Sequence, residues 1–139
     1  MVVSKPIRLF THPILTDALG TDKTKALVAD FRAYKENKGL PATFGRDVPY
    51  NYTHNRSYLE LQHLHFKTAG FPVRLMQFHR TSDYVLVYCP GFTNSDHYLL
   101  IAIIKHWDKS KPRVIENTDR DNQLMYKLEL IAEDFREKH

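Results

Sequence analysis

The sequence predicts one α+β domain spanning residues 1–139, a small antiparallel β-sheet with helices packed on it and a helix at the C-terminus. Three observations predict it. Residues 83–89 and 98–105 are dense in Val, Leu, Ile and Tyr, as central strands covered on both faces are. Residues 90–96 between them form a turn short enough for an antiparallel pair. From Asp121 onward, Leu124, Leu128, Ile131 and Phe135 fall on one helical stripe, with Ala132 beside it. No repeat, low-complexity tract or linker divides the chain, and its length suffices for a core without staples.

The remaining elements follow in order. Residues 1–20 read as an N-terminal extension or edge strand, because the apolar run 7–10 lies between Pro6 and Pro13. Leu27, Phe31 and Tyr34 repeat at helical steps, with Thr21 or Asp22 as N-cap and Gly39 and Pro41 as the stop. Residues 40–57, rich in Gly, Pro, Asn and Tyr, read as a long loop, in which Gly45 supplies a positive φ. Its Tyr50 and Tyr52, with Tyr58 beyond, have the chemistry to stack on bases or to pack on the sheet. Residues 59–66 alternate, which places Leu59, Leu61, His63 and His65 on one face of a strand. A polar stretch, 107–120, leads to the last helix, capped by Asp121.

Composition excludes several classes. No run approaches the roughly 18 apolar residues of a membrane span. The N-terminus also lacks the order of a signal peptide, so a cytoplasmic chain is expected. Cys89 is the only cysteine, which rules out an intrachain disulfide and suits a reducing compartment; its apolar strand makes the thiol structural. Lys and Arg number 20 against 16 Asp and Glu, a surplus compatible with a polyanionic partner without requiring one. Phosphate-binding loops, Gly-x-Ser-x-Gly elbows and paired CxxC motifs are absent from the sequence.

What remains for chemistry is a group of His, Arg, Asp and Tyr near the middle strands. His63 and His65 point the same way, about 7 Å apart. They read as half-buried sheet residues, as legs of a metal site with His79, His97 or His106 at an unfamiliar spacing, or as an acid–base pair. Arg80 precedes a strand, where it suits a bidentate phosphate clamp or a turn held by Asp83. Arg120 and Asn122 flank a helix start that either binds phosphate or is simply capped.

Several short motifs recur in a fixed order: Tyr34-Lys35, Leu40-Pro41, Phe44-Gly45-Arg46-Asp47, His63-Leu64-His65, Gln77-Phe78 and Arg80-Thr81-Ser82-Asp83, then Leu86 to Cys89, Leu99 to Ile103, Asp121-Asn122-Gln123, Ala132-Glu133 and Phe135-Arg136. In that order, over residues 27–137, the chain resembles the YafO toxins of bacterial type II toxin–antitoxin systems. The resemblance implies a RelE-like fold, ribosome-dependent endoribonuclease (mRNA interferase) activity without cofactor or metal, and a cognate antitoxin, ribosome and mRNA as partners. Residues 1–20 have no clear counterpart in that pattern, 107–118 is a longer insert than expected, and His79 falls at an unexpected place.

Cleavage of this kind is a transesterification in which the RNA 2′-OH attacks its own phosphate. His63 and His65 are then the expected base and acid in either order, Arg80 the phosphate clamp, and Asp83 its orienter. Tyr88, Arg46, Lys105, Arg120, Asn122 and Tyr126 are the expected RNA contacts. The rival readings are a ParE-like toxin that poisons gyrase and a non-enzymatic RNA- or protein-binding module. The two histidines with Arg80 speak against the gyrase poison, which needs no acid–base pair.

Overall fold

The computed structural model describes residues 6–51 and 53–139. Five strands, Arg8–Thr11 (β1), Phe44–Pro49 (β2), Gln62–Phe66 (β3), Tyr84–Pro90 (β4) and His97–Lys105 (β5), form one sheet in the order β1-β5-β4-β3-β2. The four strands from β2 to β5 pair antiparallel, as the dense apolar runs and short turn predict. The sheet is nevertheless mixed, because β1 runs parallel to β5 at the edge. Between β1 and β2 the chain folds into Pro13–Leu19 (α1) and Thr21–Lys35 (α2); a short helix, His54–Tyr58 (α3), precedes β3, and Asn122–Lys138 (α4) ends the chain.

Alternation along the strands divides the core in two. Val85, Val87 and Cys89 join Leu61, Ile101, Met125, Leu128 and Phe135 on the face covered by α4. Leu86 and Tyr88 join Phe31, Phe44, Leu64 and Leu100 on the face covered by α2. With both faces packed, β4 and β5 need continuous apolar sequence. Cys89 is fully buried, and burial pushes its thiol up to about 12, which makes it a packing residue. Asp121 caps α4 by accepting the amides of Gln123 and Leu124.

Residues 40–57 depart from the expected long loop: β2 and most of α3 lie there. Gly45 and Pro49, types depleted from strands, and a register shift between Phe44 and Asp47 disguise β2. Gly45 does not adopt a positive φ. It is required because a Cβ there would collide with the Arg80 carbonyl oxygen. The N-cap of α2 is Gly20 rather than Thr21 or Asp22. Helix α1, which its own residues did not announce, begins at Pro13 with His12 Nδ1 accepting the Ile14 amide. Tyr50 is buried, Tyr58 is exposed, and Tyr52 lies outside the described residues. None of the described helices is long and apolar enough to cross a membrane.

Candidate active site

The register of the sheet assembles the site. His63, Val87 and Ala102 form one cross-strand row, and His65, Val85 and Ile104 the next. One alternation past Ile104, at the end of β5, His106 returns to the same face. The three imidazoles lie together, with ring centroids 6.1 Å apart for His63–His65, 5.8 Å for His63–His106 and 4.8 Å for His65–His106. They line an open cleft of 680 Å³, with Arg46, Asp83 and Arg120 on its walls.

Each histidine is held differently. Tyr50 stacks on His63 at 4.1 Å, and His63 Nδ1 is buried without a hydrogen-bond partner among the described residues. His65 Nδ1 accepts the Ser82 amide at 2.9 Å, so its neutral ring carries the proton on Nε2. Burial pushes both His63 and His65 down to about 4, leaving them uncharged at neutral pH. His106 stands beside a buried carboxylate: Asp119 Oδ2 lies 3.8 Å from its Nε2. Asp119 is itself fixed, accepting the Tyr50 hydroxyl at 3.0 Å and the Trp107 amide at 2.8 Å.

Two cations flank this floor on aromatic rings. The Arg46 guanidinium lies over Phe78 at 4.1 Å, and that of Arg120 over Trp107 at 4.3 Å. The three histidines offer nitrogens within 4.8 Å of one another, a span that invites a cation. The Ser82 amide, however, keeps a proton on His65 Nε2, which leaves only His63 and His106 with a free lone pair. Two imidazoles fall short of the three protein ligands of a catalytic zinc site. Proton handling suits this donor set better.

The sequence-expected residues divide. His63, His65, Arg46 and Arg120 meet at the cleft. Arg80 does not serve as a phosphate clamp: 4% exposed, it donates to the carbonyls of Leu75, Val73, Phe44 and Pro41. Asp83 does not orient it either, and sits on the rim, its carbonyl oxygen accepting the His106 amide. Tyr88 cannot contact substrate, being buried on the α2 face with its hydroxyl on Asp47. Lys105, Asn122 and Tyr126 are exposed but do not line the cleft. Asp119 was not among the expected site residues, and His106 was weighed only as a third leg of a metal site. The alternation of β5 past Ile104 carried a signal for His106, whereas nothing in the 107–120 stretch marked Asp119.

An α+β domain that gathers imidazoles on one open floor between two arginines defines a class: a small domain with groups suited to proton transfer beside an anion. Residues 32–137 match the family described as "Toxin YafO, type II toxin-antitoxin system", and the chain belongs to that family of toxins. It is 35% identical over 136 residues to the mRNA interferase toxin YafO of Escherichia coli (strain K12), which covers 94% of this chain and 98% of that protein. Most of residues 1–20 therefore have a counterpart there, contrary to expectation. No solved structure matches the chain. As a type II toxin it has an antitoxin partner.

Proposed function

We propose that the chain is an mRNA interferase, a cytoplasmic endoribonuclease that cuts translated messages on the ribosome by metal-free transesterification. The observation that carries this reading is the convergence of His63, His65 and two arginines on one cleft. Its relative bears the name of that activity.

The residues support a division of labour. His63, uncharged at neutral pH, has Nδ1 buried, so Nε2 is the nitrogen left to take the 2′ proton. His65 keeps its N–H on Nε2 and donates it to a non-bridging phosphate oxygen, as a neutral oxyanion-hole donor does. Arg46 and Arg120 hold flanking phosphates, the work the sequence assigned to Arg80. The ribosome supplies the alignment that so open a cleft lacks.

Primer extension on a translated message after expression of the chain tests the reading. Discrete cuts inside the reading frame are expected. DNA damage without cuts would indicate a gyrase poison, and growth arrest with neither would indicate a binding module.

A further inference from the structure

Transesterification moves two protons, and the groups assigned so far handle only one. His65 is an awkward acid or base. Its Nδ1 is occupied by the Ser82 amide, and surrendering the Nε2 proton would leave an imidazolate. A second proton-transfer group must therefore lie within reach of the same phosphate.

We propose that His106 is a catalytic residue, the general acid that protonates the departing 5′ oxygen, and that Asp119 is its positioning residue. This rests on the mRNA-interferase reading. His106 shares the cleft with His63, the ring centroids 5.8 Å apart. Its side chain is 36% exposed, open enough to meet substrate. Of the three histidines it is the one with a carboxylate at ion-pair distance, so its imidazolium has a counterion built into the fold. That carboxylate cannot swing away, since Tyr50 and Trp107 each hold one of its oxygens. Tyr50 also stacks on His63, so one side chain sets the spacing of base and acid.

The step balances. The 2′-OH gives its proton to His63 as the O2′–P bond forms, and the P–O5′ bond breaks as His106 gives its proton to O5′. The products are a 2′,3′-cyclic phosphate and a 5′-hydroxyl; solvent then exchanges the protons on the two rings.

The test compares two linkages at the scissile position of a message bound to purified ribosomes: the natural phosphodiester and a bridging 5′-phosphorothiolate. A thiolate leaves without protonation, because thiols are far stronger acids than alcohols. His106→Ala and His106→Gln are expected to lose about 10²- to 10⁴-fold on the natural linkage. Most of that rate should return on the sulfur linkage, while His63→Gln stays impaired on both. Asp119→Asn should lower kcat without raising KM, and add no further loss to His106→Gln. Thermal unfolding of each variant accompanies the kinetics. Wild-type rates for both His106 variants on the natural linkage would overturn the assignment, as would an equal loss on both linkages. If the wild-type chain cuts neither linkage, the interferase reading itself falls and takes this assignment with it.

Discussion

Arg80 and Arg46 both lie near the turn that precedes β4, yet the fold uses them in opposite ways. Arg80 places its guanidinium among four main-chain carbonyls, those of Leu75, Val73, Phe44 and Pro41. Removing it should take a donor from each of those acceptors and cost about 3 kcal/mol or more. Urea unfolding of Arg80→Ala is expected to show that loss. A variant of wild-type stability that no longer cleaves would return Arg80 to the phosphate. The histidines make a pH prediction of definite sign. His63 and His65 bind protons at about 4 when folded and at the ordinary histidine value, about 6.5, when unfolded. Between those values the unfolded chain holds more protons, so stability rises with pH across the window and is lost on acidification. Denaturation at intervals from pH 7 to 4 should show a decline that His63→Gln/His65→Gln flattens.

At the scale of elements, β4, β5, α4 and the Gln62–Phe66 part of the expected 59–66 strand were legible because one local pattern, alternation or the helical stripe, decides each of them, whereas Leu59 closes α3 instead. Strand β2 was not, since its glycine and its register shift answer to a distant neighbour. The Arg46 amide donates to the Arg80 carbonyl oxygen at 2.8 Å, and Gly45 permits that approach. The parallel edge was hidden for a similar reason: β1 meets β5 across some ninety residues, and no local period records such a pairing. Gly45→Ala should push β2 off the Arg80 segment and cost about 1–3 kcal/mol as overpacking. Thermal unfolding checks this, and an unchanged transition would mean that the backbone yields freely there. Because Arg46 follows directly, the same variant should also cleave more slowly.

Across the whole molecule, the site is a junction of distant pieces of chain. Strand β3 brings two imidazoles and the end of β5 a third, while the 107–120 stretch adds Trp107, Asp119 and Arg120. Sequence reading found the pair on one strand, where period-two geometry is enough. It named Arg120 but missed Trp107 and Asp119 and gave His106 only a metal role, because these depend on how β5 and the following stretch return across the face, and it assigned Arg80 and Tyr88 to substrate where burial assigns them to the core. Family membership, by contrast, was readable from the order of short motifs along the chain. The claim that matters most is that this floor of imidazoles performs metal-free RNA transesterification. The direct measurement is cleavage of a message on purified ribosomes in excess chelator, with a single 2′-deoxy nucleotide placed 5′ to the cut. Discrete cutting of the all-ribose message is expected, with ends bearing a 2′,3′-cyclic phosphate and no cutting at the deoxy position. Cutting through the deoxy position, or activity abolished by chelator and restored by metal, would contradict that claim.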